Sequence, residues 1–435
     1  MSARKSPQPS VEAESALQGR FAFLAERGAW FWGLVALGLV ARLYLVFATE
    51  GTTDVFIWAD HAKGIAERGL AAQYRESQML LNHPPLAAWL MAAMWELSQA
   101  TGLAFKACMR LPIALADLAN VALLAALLVG RRERWLVAGL YAVMPVALVL
   151  GAYHGNTDAL LGTLLLAAAV FASRGRVVAC GAVLGIGLAI KLPIVLGAPA
   201  FFFAVPGWRK RFELAGVTLA VALACYAPVL VQDFGAVKEK VFGYRGLVIF
   251  TLSNPPTFIW GLKNLFIELW GYDKRIEVWS EVPGLVECWP GWAVALVAHG
   301  STLALGLIVA FAFLRRRERD ALGLATTLAL SYALFYALVD AWAFQYLAWA
   351  MPFWFFGGRV FAWAAHVFAG GYLYLLYAFV CADPLLRGHW GFNEHPNWPG
   401  YLPFFREAAL YTFVVFASLA LARAVRAEFA QRRSA

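Results

Sequence analysis

Asn82-His83-Pro84-Pro85-Leu86-Ala87-Ala88-Trp89-Leu90-Met91-Ala92-Ala93-Met94-Trp95 is the stretch whose placement decides the topology. By hydropathy alone, residues 85–100 resemble a membrane span. The basic clusters downstream argue otherwise. Arg131-Arg132-Glu133-Arg134, Arg174-Gly175-Arg176, Arg209-Lys210-Arg211, Arg315-Arg316-Arg317-Glu318-Arg319, Arg359 and the tail Arg423 to Arg433 all fall between apolar runs. Cytoplasmic loops concentrate Lys and Arg. Were 85–100 to cross, the cluster at 131–134 would move outside and every later cluster would lose its parity. The segments 54–68 and 85–100 are therefore read as helices lying along the outer membrane surface, which their mixed polarity allows.

A crossing helix needs about 20 apolar residues. Working outward, spans fall near 28–48, 109–130, 135–153, 157–173, 177–190, 192–206, 213–231, 291–314, 321–339, 343–357, 360–381 and 408–424. The expectation is an all-α, polytopic membrane protein of about twelve transmembrane helices, residues 1–435 forming one membrane-embedded domain. Both ends, 1–27 and 425–435, are expected in the cytoplasm, and the first span reads as an uncleaved anchor. The long loops 49–108, 232–290 and 382–407 share the outer side, so any chemistry is expected there. The Ala- and Arg-rich composition points to a bacterial inner membrane with a periplasmic active face.

Composition agrees with lipid as the main solvent. Of 435 residues, 62% are hydrophobic and 14% charged, against roughly 25% charged in soluble proteins. The 18 Trp, 15 Tyr and 32 Phe suit interfacial aromatic belts. A net charge of +9 would suit nucleic acid, but the cations sit in short orientation clusters, so that partner is set aside. The five cysteines are scattered without metal-ligand spacing.

Four polar groups interrupt the apolar pattern at outer loops or span ends. Asp54 and Asp60 follow the first span, where a charge needs water or a partner. Six residues apart on a helix, they lie about 120° from a shared face, so they do different jobs. Plain interfacial solvation, with Asp54 capping a helix, would also explain them. Tyr153-His154-Gly155-Asn156-Thr157-Asp158 forms an outer turn, where Asn156, Thr157 or Asp158 could simply cap the next helix. Lys191 separates two short apolar runs and must face protein, a water-filled cavity or the interface; an ammonium there also suits a phosphodiester. Arg245, with Asn254 downstream, lies on an outer loop, and guanidinium forks bind phosphate oxygens. Arg42 and Arg110, near outer span ends, could join it or face headgroups.

Together these residues resemble the GT-C superfamily of integral-membrane glycosyltransferases. Asp54, Asp60 and Pro84-Pro85-Leu86 with Trp89 resemble the first-loop pattern of the first mannosyltransferase of GPI-anchor assembly. Gln345-Tyr346 with Trp349 and Pro352 resembles its late-span motif. Asp54, His83-Pro84-Pro85-Leu86, His154 with Asn156, Lys191, and Arg245-Gly246-Leu247 with Asn254 follow the order seen in dolichyl-phosphate-glucose-dependent glucosyltransferases. Those glucosyltransferases carry a His-Glu pair near Ala343-Phe344, which is apolar here.

The resemblance implies inverting transfer of a hexose, mannose foremost, from a polyprenyl-phosphate sugar to a lipid-linked or glycan hydroxyl, metal-independent or weakly metal-dependent and with no cofactor. Asp54 would be the general base, with Asp60, His83, His154, Asn156 and Asp158 supporting it or the acceptor. Lys191, Arg245 and Arg110 would hold the donor phosphate; Asn254, Gln345 and Tyr346 would contact donor sugar or lipid. The alternative class is a transporter or lipid flippase. Such folds usually show two related halves, and no internal repeat stands out.

Overall fold

The structure, a computed structural model, describes residues 27–76, 81–244, 257–276, 286–339, 343–391 and 398–434. Among these, regular structure is helical; an isolated bridge pairs Asp273 with Val286. In order the helices are α1 (Ala29–Ala48), α2 (Thr53–Arg68), α3 (Leu70–Glu76), α4 (Pro85–Thr101), α5 (Phe105–Leu127), α6 (Arg134–Ala142) and α7 (Pro145–Ala147). A π-helical turn, Leu148–His154, continues α7. Then come α8 (Asp158–Ser173), α9 (Val177–Ile190), α10 (Ala198–Ala204), α11 (Trp208–Val237) and α12 (Phe258–Trp270). The last are α13 (Gly291–Ala298), α14 (Gly300–Leu314), α15 (Ala321–Leu338), α16 (Arg359–Val380) and α17 (Tyr401–Ser434).

Six helices (α1, α5, α11 with its extension to Phe242, α15, α16 and α17) are long and apolar enough to cross a membrane. Two bent pairs, α6–α7 at 44° and α13–α14 at 59°, raise the number to eight if each is one span. The remaining expected spans are α8, α9, the stretch Leu192–Ala204, and the 3-10 turns Phe344–Trp349 and Met351–Phe356. The 14 residues of α9 reach only about 21 Å at 1.5 Å per residue, short of a ~30 Å hydrocarbon core. An integral membrane bundle of α-helices is therefore what the chain forms. α4 is not among the helices long and apolar enough to cross.

The loop after α1 is a packed layer. Val55 and Trp58 of α2 and Met91 of α4 bury against Phe105, Met109 and Ile113 of α5 and Ala159 of α8. Ile65, Leu70, Tyr74 and Ala88 bury against Ala189 of α9 and Tyr226 and Val237 of α11. Pro85 opens α4 in its first turn, where a missing N–H costs nothing. Gly102 closes it at φ 73°. Loop and bundle thus fold as one unit, and the N-terminus of α2 is held over the ends of α5 and α8.

Two arginines expected near headgroups or phosphate are instead internal. Arg42 sends Nε and Nη2 to Asp117 Oδ2 at 3.2 and 2.6 Å, and Nη1 to the Gly38 and Ala142 carbonyls at 3.0 and 2.5 Å. Tyr141 donates to Asp117 Oδ1 at 2.5 Å. In a membrane, a buried charge has to be paired and hydrogen-bonded, and this network ties α1, α5 and α6 together. Arg110 is fully buried. Its guanidinium donates to the carbonyls of Leu45, Val46, Thr49, Lys106 and Tyr153. It latches α5 to the end of α1 and has no donor left for phosphate, which corrects the expected role.

Candidate active site

Asp54 lies in the first turn of α2, after the N-cap Thr52. A helix N-terminus favours a carboxylate, but Asp54 does not cap the helix. Its Oδ2 lies 2.9 Å from His154 Nε2 and accepts from Asn156 Nδ2 at 3.3 Å. Oδ1 accepts no hydrogen bond from any described residue. With the side chain 37% exposed, the carboxylate sits in a recess that water or a hydroxyl can enter.

The partner turn owes its shape to Pro145 and Gly155. Pro145 interrupts the α6–α7 run, and the chain then overwinds into the π-helical turn that ends at His154. Such turns recur at functional sites. Gly155 follows at φ +66°, and a Cβ there would meet Arg110 Cγ at 2.2 Å. Only glycine fits this corner. His154 is 2% exposed. Its Nδ1 bonds the Tyr377 hydroxyl of α16. Asn156 has two tasks: its Oδ1 also accepts from the Asp158 N–H at 3.2 Å, a local turn bond.

A second pair lies alongside. Lys191 leaves the helical conformation (φ −156°, ψ 118°) between α9 and the turn Leu192–Leu196. Its Nζ is 3.3 Å from Asp158 Oδ2. Trp349 Nε1 donates to Asp158 Oδ1 at 2.5 Å, and Trp349 stacks on Tyr346 at 4.3 Å between ring centroids. Asp158 is 1% exposed and Lys191 17%. An ammonium has three donors, so pairing with Asp158 leaves Lys191 able to bind another anion.

Electrostatics separate two titratable groups of the outer loop, Asp54 and His83. Burial pushes the Asp54 carboxyl up; the hydrogen bond of His154, the positive charge that His154 and His83 carry whenever they are protonated, and the charge of Lys191 outweigh it and hold Asp54 below the ordinary carboxylate value. Burial is also the main influence on His83, and with Lys191 it drives this imidazole well below its usual range, against the pull of Asp54. His83 is thus neutral at pH 7. Both its ring nitrogens are buried without a hydrogen-bond partner among the described residues, and the ring stands edge-on to Trp58 at 5.3 Å.

The fold therefore gathers Asp54, His83, His154, Asn156, Asp158, Lys191 and Tyr346 at one end of the bundle. Gln345, beside Tyr346, has a buried Oε1 without a partner among the described residues. Asp60 is solvent-exposed, and no hydrogen bond or ion pair ties it to this group. Arg245 and Asn254 lie outside the described residues. Tyr377 was missed by sequence reasoning because a tyrosine inside an apolar span carries no signal of its own. Among the described residues, no group of three or more His, Cys, Asp or Glu could hold a metal ion.

Residues 82–231, about a third of the chain, match the family described as dolichyl-phosphate-mannose-protein mannosyltransferase. The matched stretch contains His83, His154, Asn156, Asp158 and Lys191, while Asp54 precedes it and Tyr377 follows it. The match supports a membrane glycosyltransferase of the GT-C superfamily. No curated protein matches the chain.

Proposed function

From that likeness we propose that the protein transfers a hexose, mannose first among candidates, from a polyprenyl-phosphate sugar to an alcohol, with inversion. The observation that carries the proposal is the carboxylate of Asp54, held on one oxygen by His154 and Asn156 beside the cation Lys191. Asp54 takes the proton of the acceptor hydroxyl as its oxygen attacks the anomeric carbon. The carbon–phosphate oxygen bond breaks, the departing polyprenyl phosphate keeps the bonding electron pair, and Lys191 neutralises the negative charge that results. Phosphate leaves readily, so no general acid is needed. A positioned base contributes about 10²–10⁴-fold to such a step. Gln345, and Arg245 with Asn254, extend the donor site in this reading, and neutral His83 offers a hydrogen bond to sugar or phosphate.

The matched family's description names a protein as the acceptor; the short inner loops of the sequence reading favour a lipid-linked or glycan alcohol instead. Both are hydroxyls, and the base chemistry is the same. The test is to give purified protein radiolabelled polyprenyl-phosphate mannose or polyprenyl-phosphate glucose with a panel of alcohol acceptors. Label is expected on an acceptor, faster from mannose. Label that stays on the lipid with every acceptor would remove the proposal.

About twelve crossings, with both ends cytoplasmic and α2 and α4 along the outer surface, complete the reading. Glu96 and Glu133 are both exposed. Cysteine at 96 is expected to react with an impermeant thiol reagent from outside, and cysteine at 133 only after the inner face is opened. Reaction of both from one side would break the parity.

A further inference from the structure

We infer that Tyr377 is a positioning residue that acts on Asp54 through His154. The inference rests on the proposed role of Asp54 as the base. The three side chains come from three elements and form one line: Asp54 Oδ2 to His154 Nε2 at 2.9 Å, and His154 Nδ1 to the Tyr377 hydroxyl. His154 and Tyr377 are buried, and aromatic rings close around them. Phe344 lies 5.9 Å from His154 and 5.7 Å from Tyr377, Tyr153 5.5 Å from Tyr377, and Trp390 4.9 Å from it.

The chemistry follows from counting protons. A neutral imidazole carries one N–H, on either nitrogen. If it sat on Nδ1, the lone pair of Nε2 would face the ionised carboxylate of Asp54, and the two would repel. The carboxylate can only accept, so the paired tautomer carries its N–H on Nε2, and Tyr377 completes that state by donating its O–H to the Nδ1 lone pair, which a phenylalanine would leave unpartnered. The N–H is then on Nε2 and points at Asp54 Oδ2. A donor on Oδ2 holds the carboxylate plane, so Oδ1 is the oxygen that meets the acceptor hydroxyl. During transfer the proton goes from acceptor oxygen to Asp54 Oδ1; His154 and Tyr377 keep theirs. The logic is that of an orienting group fixing a histidine tautomer for a neighbour's chemistry.

The groups facing this line are few. His154, His83, Lys191 and Tyr346 face Asp54. Asp54, Tyr153, Tyr372 and Cys381 face Tyr377. Tyr153 bonds Cys381 at 2.9 Å, so it has its own partner and does not compete for His154.

The experiment follows kcat against pH in transfer from polyprenyl-phosphate mannose, using full-length protein with Tyr377→Phe, His154→Ala and the double variant. Tyr377→Phe keeps the ring and its packing but removes the donor. Its kcat is expected to fall roughly 10-fold with donor KM little changed. Its acid limb should move to higher pH, since Asp54 loses part of what holds it ionised. In the His154→Ala background, Tyr377→Phe should change neither rate nor limb, because it acts through His154. An unmoved acid limb in Tyr377→Phe would overturn the inference, and so would a full additional loss in the double variant. A merely structural tyrosine would give that additive loss. If Asp54→Asn itself keeps full transfer, the role of Asp54 fails first, which separates the two failures.

Discussion

Asp54→Asn is expected to lower the rate of sugar transfer by about 10²–10⁴-fold. The substitution is nearly isosteric. The Asn carbonyl can still accept from His154 and Asn156, so the outer turn keeps its shape. What is lost is the basic lone pair that takes the acceptor proton. Donor KM should change little, because Lys191 and the neutral His83 stay in place. The pH dependence has a definite sign. Asp54 is held below the ordinary carboxylate value, so the base stays ionised to a lower pH than an ordinary carboxylate would. Activity is lost only as pH falls through the lowered value, and the same proton uptake removes the stability the carboxylate gives through His154. The check is kcat and donor KM of the variant beside its circular dichroism and thermal midpoint in detergent. Full transfer by a folded Asn variant would hand the base to another acid.

Lys191→Met carries the second large effect. Removing a preorganised cation from a developing phosphate anion costs about 10²–10³-fold in rate. A second consequence comes with it. Asp158 is almost fully buried and paired with Lys191 at 3.3 Å, so the single variant strands a carboxylate that keeps, among the described side chains, only Trp349. Breaking a buried pair by removing one partner destabilises more than removing both. Lys191→Met is therefore expected to lower the thermal midpoint, and Lys191→Met with Asp158→Asn to recover much of it. Transfer should not recover in the double variant. Recovered transfer would make Lys191 a structural partner of Asp158 and take it out of the donor site.

Those residues were legible in the sequence for one reason. A charge or amide at the end of an apolar run is conspicuous, and Asp54, His154, Asn156 and Lys191 all interrupt such runs. Helices were read at 54–68 and 85–100, and the chain forms helices there, Thr53–Arg68 and Pro85–Thr101. Arg110 shows the limit. Hydropathy says that a cation near the rim needs anions or oxygens, and headgroups or phosphate were the apparent source. The last turn of α1 supplies them instead, since the final carbonyls of a helix lack intrahelical donors, and Leu45, Val46 and Thr49 offer theirs. Arg42 likewise found Asp117, 75 residues away in sequence. Tyr377 could not be read at all, because its partner lies 223 residues earlier. The expected count of twelve exceeds the six to eight helices long enough to cross where segments are short or break into 3-10 turns, as at 192–204 and 344–356.

The most direct measurement follows both halves of the donor at once. Protein in sealed vesicles receives polyprenyl-phosphate mannose labelled separately in sugar and phosphate, with an alcohol acceptor outside. The account predicts free polyprenyl phosphate appearing in step with a new glycoside of inverted anomeric configuration, both dependent on Asp54. Label crossing the bilayer with sugar and phosphate still joined would contradict it and make the protein a carrier of that lipid.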